Sequence, residues 1–326
     1  MNSRQRVTEV INHGKPDRIP VFGWVGGNEE FAPKVVEAFG SIDAFAEKYE
    51  FDVVSRAPNL QPFRWDLLHD LKMSKPDSKI TPDEILDVPL TDPDDAAAYV
   101  GFIEQMKRVK EKELFSYTHT WGYFEGYTSI FGIENHLMNI LLYKDEMKEI
   151  HKRLSEWHIK FANNILDCGV DMVHFSDDWG AQRGLLFSPD LWREIIYPYY
   201  AEVIPHIKKR KGFVSLHSDG NVASVLGDIS ALGFDVVHPF QESAGMSFDL
   251  FKSKYIKNFS VMGGLDVQNT IGFGNYDLLK SEIIRVLSMF KDGGLIFCTS
   301  HAVQPHCTID ELVFAYNLVY ETVRTI

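Results

Sequence analysis

The stretch FVSLHSDGNVASVLGDISALGFDVVHPFQ, residues 213–241, holds the clearest structural pattern in the chain. Two short apolar runs, 213–219 and 236–240, lie on either side of a segment, 221–232, whose apolar residues follow helical spacing. Apolar runs of this length are typical of strands buried on both faces of a parallel sheet. The stretch therefore predicts a βαβ unit with polar side chains, such as His217, at a strand end.

The same alternation of strands and helices extends along the chain. Eight apolar runs predict strands, at 19–24, 52–57, 114–120, 172–178, 213–219, 236–240, 260–266 and 294–300. Helical patterns fall between most of them, at 29–39, 97–112, 144–167, 190–209, 221–232, 276–291 and 309–324. Eight such units in one chain favour a single-domain α/β fold, the (β/α)8 or TIM barrel, over an open doubly wound sheet.

Two segments depart from this alternation. Residues 58–113 are too long for one crossover connection and predict an insertion that forms a lid over the barrel mouth. Residues 121–143 are rich in aromatic residues and glycine, and we expect them to form a short helical wall of the pocket. Both segments would then lie at the end of the barrel where chemistry is placed.

Composition and charge exclude several classes of protein. The chain has 326 residues and a net charge of −13, which disfavours a nucleic-acid partner because phosphate binding needs clustered Lys and Arg. No run approaches the roughly 18 apolar residues of a membrane span, and the first residues lack the apolar core of a secretion signal. The odd number of cysteines, three, predicts no disulfide framework, so we expect a cytoplasmic location.

Three residues at predicted strand ends form a candidate metal site. His217 and Asp219 lie one residue apart, and His301 follows the last predicted strand. Two imidazoles and one carboxylate are a common ligand set for catalytic zinc that leaves a position open for substrate, and the same set suits iron(II). The spacing alone leaves open that these are polar rim residues, with His217 acting as a hydrogen-bonded general acid.

A pair of carboxylates, Asp177 and Asp178, ends the predicted strand 172–178 next to Trp179. Paired carboxylates can act as acid and base because each charge raises the pKa of the other group. An Asp at a strand end can instead cap a turn by accepting backbone N–H groups. We therefore expect one Asp to be structural and the other to face the pocket.

Several of these stretches together resemble one family, the uroporphyrinogen decarboxylase superfamily, which includes the haem-pathway decarboxylase and corrinoid-dependent methyltransferases. The resemblance covers nearly the whole chain and implies a (β/α)8 barrel. It rests on the order and the strand-end placement of modest motifs, at 4–7, 15–21, 177–180, 188–192, 217–221, 238–241, 263–266, 293–301 and 304–305.

Two departures from the family pattern bear on function. The decarboxylases grip the substrate's carboxylates with N-terminal arginines, whereas residues 21–28 contain no arginine. The methyltransferases bind zinc through a His-x-Cys pair and a later Cys. By resemblance His217 matches that His, and Asp219 and His301 stand at the positions of the two thiolates. The resemblance thus implies a harder N/O site, suited to an oxygen-bound or other non-thiol methyl group.

The resemblance and the motifs together predict a metal-dependent, corrinoid-linked methyltransferase. A metal ion, zinc in the first instance, would lie on His217, Asp219 and His301 and act as a Lewis acid. The partners implied are a small methyl donor or acceptor, a separate corrinoid protein at the barrel mouth, and a second copy of the chain in a homodimer. The candidate catalytic residues are Asp177, Asp178 and His301, and the candidate substrate-binding residues are Trp24, Trp121, Tyr123, Trp179 and Gln241.

Two alternatives remain at this point. The first is a metal-free decarboxylase of uroporphyrinogen or another acid, in which His301 donates a proton and Asp177 or Asp178 holds the substrate. The missing arginines count against it. The second is a non-catalytic barrel that binds a small molecule or a corrinoid, and the many titratable groups on one rim count against that.

Overall fold

Seven parallel strands form a curled sheet at the centre of the chain. The computed structural model describes residues 1–74 and 79–326. The strands of the sheet, in spatial order, are β1 (Val53–Ser55), β2 (Phe115–Trp121), β3 (Met172–Ser176), β6 (Phe213–His217), β7 (Val236–His238), β8 (Ser260–Leu265) and β9 (Leu295–Thr299). A separate antiparallel hairpin consists of β4 (Gly180–Ala181) and β5 (Gly184–Leu185). The architecture is an α/β fold of the TIM-like kind, as the alternation predicts.

Fifteen α-helices lie within the described residues and connect or flank these strands. They are α1 (Ser3–Ile11), α2 (Ala32–Phe39), α3 (Ile42–Lys48), α4 (Trp65–Ser74), α5 (Pro82–Leu86), α6 (Ala96–Glu111), α7 (Glu125–Phe131), α8 (Ile133–Leu142), α9 (Lys144–Asp167), α10 (Pro189–Ile195), α11 (Tyr197–Lys209), α12 (Leu226–Leu232), α13 (Phe248–Lys254), α14 (Tyr276–Met289) and α15 (Ile309–Val323). Two short 3-10 helices span Ala223–Val225 and Glu242–Ala244.

The prediction of a closed eight-stranded barrel is wrong, because the run 19–24 does not form a full strand. It contributes one bridge, between Val21 and Phe297, and the carbonyl of Val21 accepts the N–H of Asp52 at 2.8 Å. The N–H of Val21 donates instead to a side-chain oxygen of Asp52, and the N–H of Trp24 donates to the hydroxyl of Thr299. Since two donors of this segment bind side chains, no continuous ladder joins the two edges of the sheet.

The predicted helix 190–209 is interrupted. It ends as α10 at Ile195 and restarts as α11 at Tyr197, with Pro198 in the first turn of α11. A proline at this point lacks the N–H that would continue the preceding helix, and its ring clashes with the carbonyl four residues earlier. The expected helical wall at 121–143 consists of α7 and α8.

The predicted insertion 58–113 contains α4, α5 and α6, and its residues 75–78 lie outside the described residues. Its middle part packs along α9. Arg153 on α9 donates to the carbonyl of Leu86 at 2.7 Å, and the indole N–H of Trp157 donates to the carbonyl of Thr91 at 3.0 Å. The role of this segment as a lid stays a prediction.

The amino ends of the strands are held by buried carboxylates that pair with arginines. The fully buried carboxylate of Asp52, next to β1, accepts from Arg6 and from Arg18, each at 2.6 Å. Asp171, next to β3, accepts from Arg4 at 2.7 Å and from the N–H of Ser116 at 2.9 Å. Because each carboxylate faces a guanidinium and a backbone donor, this end of the sheet is electrostatically satisfied.

Among residues 1–74 and 79–326, no helix combines the length and the apolar composition that crossing a lipid bilayer requires. All three cysteines are free, and Cys298 and Cys307 are buried.

Candidate metal centre at the carboxyl ends of the strands

Potential ligand atoms of His217, Asp219 and His301 all lie within 4.8 Å of one another. His217 ends β6, Asp219 follows it after one residue, and His301 comes just after β9. Gly220 has a φ of +75°, and a Cβ there would lie 2.7 Å from the backbone of Gly180. Only glycine therefore permits the tight turn that brings Asp219 back towards His217.

The donor atoms of these three residues lack hydrogen-bond partners on the side facing one another. Nε2 of His217 lies 3.6 Å from Oδ1 of Asp178 and 3.9 Å from Oδ1 of Asp219, and its side chain is only 4% exposed. Within the described part of the chain, no side chain or backbone group donates a hydrogen bond to the carboxylate of Asp219 or to either ring nitrogen of His301. Two imidazoles and one carboxylate whose donor atoms converge without hydrogen-bond partners form a candidate metal site.

The electrostatics of the same region also favour a cation. Burial, together with the charges of Asp178 and Asp266, raises the pKa of Asp219 to about 7. Burial and the charge of Asp178 raise the pKa of the Glu125 carboxyl to about 8. Burial lowers the pKa of His217 to about 3, which leaves its imidazole neutral and able to act as a ligand.

Four carboxylates lie in this region, on Glu125, Asp178, Asp219 and Asp266. None of them forms an ion pair with a Lys or Arg of the described residues. A divalent cation would reduce the repulsion among the carboxylates and would bind the free lone pair of His217. The set of two imidazoles and one carboxylate fits zinc or iron(II) by the chemistry of its donors.

Trp24 and Gln241 support this centre in different ways. The Trp24 ring lies 4.6 Å from the His238 ring and 5.4 Å from the His217 ring, and its indole N–H donates to the hydroxyl of Tyr117 at 2.6 Å. Gln241 is 5% exposed, and its side-chain oxygen accepts the N–H of Gly220 at 3.1 Å. Trp24 thus lies against the predicted ligands, whereas Gln241 fixes the turn that carries Asp219.

The two neighbouring aspartates differ in their surroundings. Asp177 is fully buried, and its carboxylate accepts the backbone N–H groups of Tyr123, Phe124 and Glu125 at 2.7–3.0 Å and the hydroxyl of Tyr200 at 2.8 Å. The three N–H groups lie at the start of α7 and Tyr200 lies on α11, so Asp177 holds α7 to the end of β3. Although Asp177 was also a candidate catalytic residue, its contacts are those of the structural member of the pair.

Asp178, in contrast, faces the candidate metal centre. Its side chain is 35% exposed, and Oδ1 accepts the N–H of Asp219 at 2.7 Å while lying 3.6 Å from His217. A partly exposed carboxylate with a raised pKa beside the ligands can contact a substrate.

The aromatic residues predicted to line the pocket separate into two groups. Trp24 and Trp121 are partly exposed, and Trp121 ends β2. Tyr123 and Trp179 are fully buried, which contradicts their predicted place in the pocket wall. Tyr123 bonds Ser155 on α9, and Trp179 packs against Trp192 on α10, because both side chains fill the layer between the sheet and these helices.

Sequence reasoning missed two residues of this region. Glu125, the first residue of α7, accepts a hydrogen bond from the hydroxyl of Ser176 at 2.7 Å. The signal was an acidic residue in an aromatic segment directly after a predicted strand. His238 pairs in register with His217 on the neighbouring strand. Two histidines at equivalent ends of consecutive predicted strands were the signal there.

A cavity of about 230 Å³ opens beside the centre, between the segments that follow β7 and β8. Its lining includes Gln241, Asp266 and Ser300. Gln241 joins this cavity to the candidate centre, because its side-chain oxygen holds the turn that carries Asp219, whereas none of the three candidate ligands lines the cavity.

The family model described as uroporphyrinogen decarboxylase (URO-D) matches residues 80–322 of the chain, well over half of its length. The chain belongs to the uroporphyrinogen decarboxylase family. The match spans the segments that carry Glu125, Asp178, His217, Asp219 and His301, so the candidate centre lies within the family domain. No curated protein sequence matches the chain at a significant level.

One solved structure supports the fold, and two others are similar at lower TM-scores. A methyltransferase from Methanosarcina mazei is similar with a TM-score of 0.65 and 14% identity, over 98% of this chain and 99% of that one. A B12-independent methionine synthase from Shewanella sp. W3-18-1 has a TM-score of 0.45 and 14% identity, over 68% of this chain and 66% of that one. An endo-1,4-β-mannanase from Rhizomucor miehei has a TM-score of 0.49 and 11% identity, over 96% of both chains.

Proposed function

We propose that this member of the uroporphyrinogen decarboxylase family is a metal-dependent methyltransferase. It would move a methyl group between a small methylated substrate and a corrinoid protein or a thiol. The observation that carries the proposal is the convergence of three free donor groups, on His217, Asp219 and His301, within 4.8 Å. The description of the Methanosarcina mazei relative as a methyltransferase supports the choice of reaction class.

In this proposal Nε2 of His217, a carboxylate oxygen of Asp219 and a ring nitrogen of His301 hold zinc or iron(II). The bound ion supplies Lewis acidity towards the oxygen or sulfur atom that exchanges the methyl group. Trp24 and Trp121 provide apolar contact for the substrate. The corrinoid protein and the homodimer stay predictions.

Proton transfer falls to the carboxyl groups beside the ligands. Removing a methyl group from an ether or a thioether leaves an oxygen or sulfur anion that needs a proton. With a pKa raised to about 8, Glu125 is protonated at neutral pH and can donate that proton. Ser176 orients the carboxyl group through its hydrogen bond, and Asp178, beside His217, orients the substrate.

A metal-free decarboxylase is the second candidate, because the ring nitrogens of His301 are free to donate a proton. The charge of the pocket disfavours it. Asp178 and Asp266 have no Lys or Arg partner among the described residues and would repel a substrate with many carboxylates, and residues 21–28 offer no arginine to counter them.

Metal content separates the two candidates. We expect about one zinc or iron per chain in the purified protein, measured by inductively coupled plasma mass spectrometry, and loss of it in His217→Ala and His301→Ala. His306→Ala, which changes an exposed histidine, serves as the matched control and should keep the metal.

Activity is then assayed with cob(I)alamin as methyl acceptor and methanol, 2-methoxyphenol, dimethyl sulfide or trimethylamine as donor. Formation of methylcobalamin, followed by absorbance, supports the proposal if it depends on His217 and His301. Metal-free protein that decarboxylates a porphyrinogen would contradict it.

A further inference from the structure

His217 and His238 lie side by side at the ends of β6 and β7, and their Nδ1 atoms are 2.6 Å apart. At this distance only one proton fits between the two nitrogens, so one is the donor and the other the acceptor. Both side chains are almost completely buried, which leaves no water to take over the bond.

A second contact decides which nitrogen donates. Nε2 of His238 lies 3.2 Å from the carbonyl oxygen of Thr299, and a carbonyl oxygen can only accept. Nε2 of His238 therefore carries the proton, and in a neutral ring Nδ1 of His238 is then the acceptor. It follows that Nδ1 of His217 is the donor, and that Nε2 of His217 carries a lone pair.

The reverse arrangement has a different outcome. If Nδ1 of His238 donated, His217 would carry its proton on Nε2, and that proton would point towards Asp178 and Asp219. A protonated Nε2 cannot bind a metal ion. The orientation of this one hydrogen bond thus determines whether His217 can be a ligand.

We propose that His238 is a positioning residue that sets the tautomer and the ring orientation of His217, and thereby prepares Nε2 to bind the metal ion. The inference rests on the proposed metal centre. The Trp24 ring, 4.6 Å from the His238 ring and 5.4 Å from the His217 ring, limits the rotation of both imidazoles. Partners of this kind behind a ligand histidine raise metal affinity without touching the ion.

Two substitutions separate this role from packing. His238→Phe keeps an aromatic ring of similar size but removes the acceptor, whereas His238→Asn restores an acceptor oxygen close to the position of Nδ1. We expect His238→Phe to weaken Co(II) binding roughly 10- to 100-fold and His238→Asn to recover most of that loss. Co(II) affinity and the d–d absorption spectrum of the bound ion are the readouts, with thermal unfolding as the check on folding.

The outcomes distinguish the two proposals. Wild-type protein that binds neither Co(II) nor Zn(II) contradicts the proposed function. Wild-type protein and a folded His238→Phe variant with equal affinities and identical spectra would overturn the inference alone.

A direct measurement on the wild-type protein needs no variant to fold. In metal-free protein labelled with ¹⁵N-histidine, long-range ¹H–¹⁵N correlation spectra report the tautomer of each ring. We expect protonated Nδ1 on His217 and protonated Nε2 on His238. A protonated Nε2 on His217 would contradict the inference, whatever the variants show.

Discussion

Both ends of the central sheet carry acidic side chains, but those at the amino end have cationic partners, whereas those of the candidate metal centre have none among the described residues. Asp52 accepts from two guanidinium groups, Asp171 from one, and Asp235 from the ammonium group of Lys208. At the carboxyl end, Glu125, Asp178, Asp219 and Asp266 have no Lys or Arg partner among the described residues.

The pKa values follow the same division. Near the amino end, the hydrogen bond from Arg6 holds the pKa of Asp17 well below its usual range. At the carboxyl end, burial raises the pKa of Asp219 to about 7 and that of Glu125 to about 8. Acidic residues thus stabilise the fold at the amino end. At the carboxyl end they leave an excess of negative charge that a proton, a metal ion or a substrate can neutralise.

The prediction with the largest expected effect compares the same substitution, Asp to Asn, at the two ends of the sheet. Asp52→Asn leaves the guanidinium groups of Arg6 and Arg18 without their buried counter-ion. We expect the free energy of unfolding, measured by urea denaturation, to fall by about 3–5 kcal/mol. Asp178→Asn should stay within about 1 kcal/mol of the wild-type protein, because no cation loses its partner. Similar losses in both variants would remove the distinction between the two ends.

The second prediction concerns the charge of the substrate. 4-Methoxybenzylamine, 4-methoxybenzamide and 4-methoxybenzoate have similar shapes and differ in charge. If the carboxylates at the carboxyl end face the pocket, affinity should fall in that order, with roughly tenfold between the amine and the acid. Isothermal titration calorimetry on the metal-free protein measures it, because a bound zinc ion would neutralise these carboxylates and would itself bind the benzoate. Tighter binding of the acid would contradict the charge that we assign to this end.

The smallest expected effect is a pH dependence. The pKa of Glu125 is raised in the folded protein from 4.5 to about 8, so the folded state binds the proton more tightly than the unfolded state. The resulting stability is present at low pH and is lost as the pH rises from about 5 to about 8. In metal-free protein, Glu125→Gln should remove part of this decline, on the order of 1 kcal/mol by chemical denaturation. An unchanged pH slope in the variant would argue against a partly buried, protonated Glu125.

The sequence predicted most of the sheet because its signals are local. Apolar runs and strand-end residues identified β6, β7 and β9, and with them His217, Asp219 and His301. The run 19–24 carries the same local signal, but its N–H groups bind Asp52 and Thr299, which lie far away in sequence. Such a competing long-range partner cannot be read from hydrophobic periodicity.

The aromatic residues and the carboxylates show a second limit. Trp24 and Trp179 are the same residue type beside similar strand ends, yet one lies against the candidate ligands and the other fills the layer under α10. Asp177 and Asp178 are adjacent, and only the direction of the backbone decides that one caps α7 while the other faces His217. Residue type predicts what a side chain can do, whereas the tertiary structure determines what it contacts.

The capping of α7 by Asp177 also has a mechanical consequence. One carboxylate joins the end of β3 to three consecutive N–H groups at the start of α7. Glu125 and Asp178 therefore belong to segments that are fastened to each other at their closest approach, and thermal motion should displace them together. In the proposed mechanism, the spacing between Glu125 as proton donor and Asp178 as substrate-orienting carboxylate would in this way be kept constant, whichever neighbouring loops open to admit the substrate.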